Sequence, residues 1–481
     1  MKPRSVQVGN DIRAEATLGK PGRVPIGPDA GKEYAAAGAD LRRGDASPAG
    51  AADDTGTEAM AVRVLIATQA ERTHFLGMVP LAWALRAAGH EVRVASQPAL
   101  GPVVSATGLP FVPVGRDHLL RRVMRQYHAM TGGEEDDFDM AEDRDEVLTW
   151  DYLLEGYRLM VPWWWRMVND PMEQDLVAFC REWRPDLVVW EPITFSAAIA
   201  ARACGAAHVR YLWGADIFAR TRARFLERMA EQPEADREDP LAAWLGARAA
   251  RYGVEFSEEL VHGQATVEQV PASLRVDTPP HLDYLPVRYV PYNGRAVVPH
   301  WLRTPPERPR IGLSLGTSAT EWYGEHQLSP QEALKGLADL DVEVVATLPA
   351  HEQAKLGAVP DNTRLVDYVP LHALAPTCAA MITHGGPGTV LTALTSGIPQ
   401  LLAPNANMFD TVLLSGLVRD RGAALLLPPD RVTPDAVADG VRALLHDPSL
   451  TRAARTLRHD IAAMPTPADL AHTLTALTTR P

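Results

Sequence analysis

The sequence predicts an α/β protein made of two doubly wound domains, each with its own parallel sheet. A strand–loop–helix–strand alternation begins at Met60, and a second begins at Ile311. Alternation of this kind builds parallel sheets covered by helices. Between the two, around residues 290–309, the chain turns proline-rich and loses periodicity, as an interdomain linker does. A chain of 481 residues is long enough for two full cores. The expected division is a tail over residues 1–59, a first domain over 60–290, a linker over 291–309 and a second domain over 310–481.

Residues 1–59 are rich in Gly, Ala, Pro, Asp and Arg, with Tyr34 as their single aromatic. Such a segment cannot bury a core and is expected to be disordered. Met60, directly before the first strand, is a candidate native start. Val62 to Ala67 read as a buried strand, residues 78–88 as a helix closed by Gly89 and His90, and residues 91–96 as the next strand. A further unit has a strand at 186–190, a helix at 193–203 ended by Gly205, and a strand at 208–212. Between these units lie an acidic run at 132–146 and an aromatic helical stretch around Pro162, Trp163, Trp164 and Trp165. Three consecutive indoles cannot share one helix face, so at least one is expected to meet solvent, a cavity or a partner.

In the second half, residues 311–315 read as a strand ending in Gly316, Thr317 and Ser318. Ser329 and Glu332 form a capping-box pattern at a helix start. Strands are expected at 342–348 and 365–369, and a helix opens at Thr433 with Pro434 first. The most informative stretch is 380–404. An apolar run over 379–382 is followed by His384, Gly385 and Gly386, then Pro387, favoured at the first helical position. The helix runs to Ser396, Gly397 occupies the left-handed C′ position, and an apolar strand follows at 398–402. A strand whose end opens through glycines into a helix presents free N–H groups and a helix dipole to an anion, and His384 adds a side-chain donor. The form is that of a pyrophosphate cradle.

Composition narrows the chemistry. The formal net charge of −13 argues against nucleic acid or an anionic membrane as the main partner. No run approaches the ~20 apolar residues of a membrane helix, and the N-terminus has no signal-peptide pattern. The three cysteines lack metal-ligand spacing and read as reduced thiols, so a cytoplasmic location is expected. Lysine is confined to Lys2, Lys20, Lys32, Lys335 and Lys355. No lysine stands in a glycine loop of either α/β alternation, and G-x-x-x-x-G-K-[ST] is absent, which excludes a P-loop NTPase and disfavours a pyridoxal-phosphate enzyme. Three D-x-D matches, beginning at Asp137, Asp143 and Asp339, fall in unrelated contexts, and no metal is assigned to them.

Five blocks carry a resemblance: T-H-F-L-G-M-V-P-L-A-W-A-L-R-A-A-G-H-E-V, R-P-D-L-V-V-W-E-P-I-T-F, Y-L-W-G-A-D-I, R-Y-V-P-Y-N-G and H-G-G-P-G-T. In this order they resemble the family 1 glycosyltransferases of GT-B architecture, two Rossmann-like domains facing across a cleft. Within that family they are most similar to bacterial deoxysugar transferases of macrolide and polyketide biosynthesis, such as the erythromycin desosaminyltransferase. The resemblance runs from Met60 nearly to the C-terminus. It implies an N-terminal acceptor-binding domain, a C-terminal domain that binds an NDP-sugar, and inversion at the anomeric carbon without metal or other cofactor. By motif, His384, Gly386, Gly388 and Thr389 would hold the diphosphate, with Thr317 and Val369 beside them. Tyr368 would stack on the nucleobase, and Asp410 would hold sugar hydroxyls. Thr411 stands where the family commonly has glutamine, a loss that fits a deoxygenated sugar. The implied donor is a TDP-deoxysugar, expected to be an amino sugar, and the implied acceptor a polyketide aglycone. A cytochrome P450-like auxiliary protein is implied by resemblance alone.

An acceptor hydroxyl is too weak an acid to react unaided, and a histidine of near-neutral pKa suits its deprotonation. His74 lies in the loop after the first strand, at the carboxyl edge where α/β sites form. It is read as the base, against the plainer alternative of a loop histidine at a helix start. Glu191 ends a buried strand. It could fix the histidine tautomer, or serve as an ordinary acid at a helix N-terminus. Two other readings of the whole chain are an NDP-sugar epimerase of the same fold and a non-catalytic sugar-nucleotide-binding accessory protein.

Overall fold

In this computed structural model the described residues are 61–131, 138–294, 296–316, 321–322, 326–405, 409–428 and 431–478. The tail expected over 1–59, part of the acidic run and Thr317 lie outside them.

The apolar runs form central strands buried on both faces, as parallel sheets covered by helices require. The first sheet contains β1 (Arg63–Ala67), β2 (Glu91–Ser96), β3 (Phe111–Pro113), β4 (Leu187–Trp190), β5 (Ala207–Tyr211), β6 (Ala265–Glu268) and β7 (Tyr284–Pro286). Its order is β3-β2-β1-β4-β5-β6-β7, every pairing parallel. Alternate residues of β1 feed different cores: Leu65 and Ala67 join one apolar layer, Val64 and Ile66 the opposite one. The second sheet contains β8 (Arg310–Ser314), β9 (Glu343–Thr347), β10 (Thr363–Val366), β11 (Ala380–Thr383), β12 (Gln400–Leu402) and β13 (Ala424–Leu426). These run β10-β9-β8-β11-β12-β13, again all parallel.

In each sheet the strand order reverses at one place, between β1 and β4 and between β8 and β11. Loops leaving adjacent strands there diverge to opposite faces, which opens a crevice at the carboxyl ends. The register makes the exits neighbours: Ala67 lies beside Trp190, and Ser314 beside Thr383.

The halves are closely joined. The last helix, Pro467–Leu477, places Leu470, Ala471 and Leu474 in the apolar layer of the first sheet. Val270, Leu274 and Tyr289 from the first half pack with Val390, Leu391 and Leu394 from the second. The stretch expected as linker is itself anchored, since Leu302 packs with Val345, Val369 and Leu374.

Ser329 does stand before the helix Pro330–Leu337, but its side chain makes no capping hydrogen bond, so the expected capping box does not form. Glu332 instead pairs with Lys335 one turn on, at 2.6 Å. The three indoles diverge as expected. Trp163 is 61% exposed, Trp165 is buried, and Trp164 stacks on Trp322 with ring centroids 5.3 Å apart.

Candidate active site

The first crevice is built by the loop after β1. Glu71 caps the short helix α1 (Arg72–Leu76), and α1 carries His74 to the mouth of the crevice. Glu71 is buried and is paired with Arg121, 2.8 Å away, which reaches Glu321 of the second half at 2.6 Å. Burial by itself would raise the Glu71 carboxyl, but His74 and Arg121 together hold it below its usual range.

Glu191 leaves the adjacent strand, and its Oε2 lies 3.4 Å from His74 Nδ1. Glu191 is buried and also accepts from the Ile193 N–H at 3.3 Å and from the Thr194 hydroxyl. The catalytic-partner geometry and the helix-start geometry therefore coexist in one carboxylate. Gln69 Nε2 lies 3.3 Å from the same His74 nitrogen. With the Nδ1–H donated to Glu191, Nε2 is the ring nitrogen left to take a proton, and the Gln69 amide nitrogen, itself a donor, is then a contact to Nδ1 and not a second hydrogen bond. Trp213 stacks on the imidazole, centroids 3.9 Å apart and planes 24° from parallel.

The second crevice lies opposite. Gly386 caps the helix Pro387–Thr395, with Pro387 at its first position. The N–H of Thr389 turns back to the Gly386 carbonyl at 3.0 Å, leaving the Gly388 N–H and the Thr389 hydroxyl for the cavity. His384 lies between two glycines. A Cβ on Gly386 would stand 2.4 Å from its Nε2, and one on Gly316 would stand 2.5 Å from its Cε1. Desolvation lowers the His384 pKa to about 4, so the ring is a neutral hydrogen-bonding group near pH 7. Its Nδ1 is buried and makes no well-formed hydrogen bond among the described residues, although the Ser314 backbone is close enough to oppose the lowering. A buried polar atom without a good partner is costly, and a phosphate oxygen would satisfy it. Tyr289, from the first half, donates its hydroxyl to the Gly388 carbonyl at 3.0 Å.

Asp410 precedes the helix Thr411–Asp420 but does not cap it. Its carboxylate crosses the cleft and accepts the Ala215 N–H at 2.8 Å. This approach needs glycine at 214, where a Cβ would fall 2.1 Å from Asp410 Oδ2. Burial raises the Asp410 pKa to about 7. Phe409 is held at φ 41, a costly conformation for a bulky residue, and packs on Trp213, Phe218 and Trp164. The Thr411 hydroxyl is occupied by the Asn405 carbonyl at 2.6 Å.

One cavity of about 270 Å³ joins the crevices, lined by His74, Tyr368, Val369, His384, Gly386, Gly388, Thr389 and Asp410. Tyr368 is half-exposed there, and its hydroxyl donates to the Asn293 carbonyl at 2.8 Å. Glu191 stands behind His74 rather than on the wall, and Thr317 is outside the described residues. Among the described residues, no group of three or more His, Cys, Asp or Glu is placed to hold a metal ion. Sequence reasoning missed Gln69, Arg72, Trp213 and Tyr289. Trp213 stood inside the Y-L-W-G-A-D-I block, but its contact is with His74, which belongs to a different block and a different strand end.

Two parallel α/β sheets whose switch points open on one cavity are the GT-B architecture, and the protein is a glycosyltransferase. It belongs to the Erythromycin biosynthesis protein CIII-like family. The N-terminal domain of that family matches residues 83–316, and its C-terminal domain matches residues 331–477. The chain is 46% identical to the 10-deoxymethynolide desosaminyltransferase of Streptomyces venezuelae, over 85% of this chain and 95% of that protein. It is 43% identical to the 3-alpha-mycarosylerythronolide B desosaminyl transferase of Saccharopolyspora erythraea, over 85% and 96% respectively. Among solved structures, the glycosyltransferase VinC in complex with dTDP superposes with a TM-score of 0.78. It is 39% identical, over 87% of this chain and 100% of that one.

Proposed function

We propose that the protein transfers a deoxysugar, expected to be an amino sugar, from a TDP-sugar to a hydroxyl of a polyketide or macrolide aglycone, with inversion and without a metal. The observation that carries the proposal is the opposition of the His74–Glu191 pair to the His384–Gly388 cradle across one cavity. The desosaminyl transferases similar to this chain support the sugar class, and the dTDP complex of VinC supports the nucleotide.

In this reading residues 60–290 bind the acceptor, 291–309 connect, and 310–481 bind the donor. His74 Nε2 takes the proton of the acceptor hydroxyl while the oxygen attacks the anomeric carbon from the face opposite the diphosphate. The new C–O bond forms as the old one breaks, and the electron pair of the broken bond stays on the departing TDP. One displacement inverts the centre. Glu191 stabilises the imidazolium, while His384, the Gly388 N–H and the helix dipole meet the charge that grows on the leaving group. Tyr368 and Val369 flank the nucleobase, Thr389 holds phosphate, and Asp410 exchanges the Ala215 N–H for sugar hydroxyls. Thr317 belongs to the same donor-binding set. The family resemblance adds a cytochrome P450-like auxiliary protein to the proposal. The free cysteines support a cytoplasmic location for the enzyme, and among the described residues no helix is long and apolar enough to cross a membrane.

The test is mass spectrometry of TDP-deoxysugars with candidate aglycones, with and without the auxiliary protein and a chelator. Glycoside and TDP are expected in equal amounts, with no loss on chelation. TDP-sugar binding that never yields glycoside, under any of these conditions, would overturn the proposal.

A further inference from the structure

Arg72 opens α1, two residues before His74, and its side chain lines the cavity. It has no ion-pair or hydrogen-bond partner among the described residues. Gly294 fixes where the guanidinium lies: a Cβ built there would stand 3.7 Å from Arg72 Nη2 and 3.9 Å from the Tyr368 hydroxyl. Desolvation raises the Tyr368 pKa, and the nearby Arg72 charge opposes that rise. Arg72 thus stands beside Tyr368, whereas His74 is close enough to Asp410 to act on its carboxyl, and the helix N-terminus at Gly388 is also on the wall.

The charge balance of the wall is uneven. Among its described lining residues Arg72 is the single arginine or lysine, whereas Asp367 and Asp410 both contribute carboxyl groups. His384 is held neutral, with its pKa lowered to about 4. Among the described residues, the second half therefore offers a diphosphate an N–H, a hydroxyl, a neutral imidazole and a helix terminus worth about half a charge. None of these is a full cation. A nucleoside diphosphate bears negative charge on both phosphates, and more develops as the bond to the anomeric carbon breaks and its electrons pass to phosphate oxygen. Guanidinium is the side chain best matched to phosphate oxygens.

We propose that Arg72 is a catalytic residue that binds the donor diphosphate from the acceptor side of the cleft and stabilises it as it leaves. This rests on the donor-site reading above and adds a contribution from the first half of the chain. The cation and the base then travel on the same short helix, so the geometry that brings His74 to the acceptor also brings charge to the leaving group.

The test is titration of the full chain with TDP and with thymidine, for wild type, Arg72→Met and Arg72→Lys. Arg72→Met is expected to weaken TDP by about ten- to a hundredfold, the worth of a charge-assisted hydrogen bond. Thymidine affinity should be unchanged, and Arg72→Lys should fall in between. Unchanged TDP affinity in Arg72→Met overturns the proposal, as does an equal loss for thymidine, which would place Arg72 on the base. Arg72→Gln repeats the comparison if methionine impairs folding. A wild-type protein that fails to bind TDP rejects the donor-site reading itself, so the two failures are distinct.

Discussion

His74 is held by a carboxylate behind one ring nitrogen and an indole against one face, and each contact has a separate consequence. General-base catalysis is worth about 10²- to 10⁴-fold. His74→Ala should therefore reduce kcat by that factor, measured as glycoside formed at saturating donor. Glu191→Gln should reduce it by less, because the amide still orients the ring but no longer stabilises its charge. A His74→Ala enzyme of near wild-type turnover would defeat the assignment. Trp213 acts through His74. Aromatic stacking is worth about 0.5–1.5 kcal/mol beyond burial, so Trp213→Leu should slow turnover about three- to tenfold. Trp213→Phe should restore much of that loss, and the pH dependence of kcat/KM should move with the leucine variant. Of these residues His74 and Glu191 were legible from strand ends and motif. Trp213 was not, because stacking depends on where β5 lies beside β4, not on local sequence.

At the scale of the element, the strand-to-helix turn before Pro387–Thr395 was almost fully readable. Proline at the first position, glycine at the C′ position and apolar flanking strands each have local physical causes. What the pattern does not state is why Gly386 is glycine. Its φ is −62, an ordinary value for any residue, so backbone freedom is not the reason. The reason is His384, whose ring fills the place of a Cβ. Gly386→Ala should displace that ring, lower the melting temperature by overpacking and weaken TDP binding in titration. An alanine variant that binds TDP like wild type would show that His384 does not need this position. The helix Pro330–Leu337 is the converse case. Its start carries the residues of a capping box, yet Glu332 turns toward Lys335 rather than back to the Ser329 N–H, and the Ser329 hydroxyl makes no capping bond of its own. A local pattern offers such a carboxylate two partners and does not choose between them.

At the scale of the molecule, the two halves meet through groups that also line the cavity. Asp410 is the clearest case, since its carboxylate is buried against the Ala215 N–H of the opposite half. Its pKa in the fold is about 7, above its ordinary value of 3.8. The sign follows from linkage: a carboxyl raised on folding contributes most at low pH, and the contribution is lost as pH rises from 3.8 through about 7. Relative to Asp410→Asn, wild type should therefore lose stability across that window when thermal melts are compared. A difference between the two that stays flat with pH would contradict the buried, cross-cleft placement. Donor binding should reverse the trend, because sugar hydroxyls favour the ionised carboxylate and lower its pKa.

Strand and helix periods, turn glycines and the absence of lysine from the glycine loops of either alternation are local properties. They were enough to determine an α/β chain with two parallel sheets, the strand–turn–helix form of residues 380–395 and the exclusion of a P-loop. The pairing of His74 with Glu191, the placement of Arg72 near Tyr368, the reach of Asp410 to Ala215 and the return of the last helix to the first sheet were decided by the tertiary structure. Each joins residues far apart in the chain, and contacts of that kind are set by which strands lie side by side and how two packed halves meet. Sequence neighbours carry no record of either.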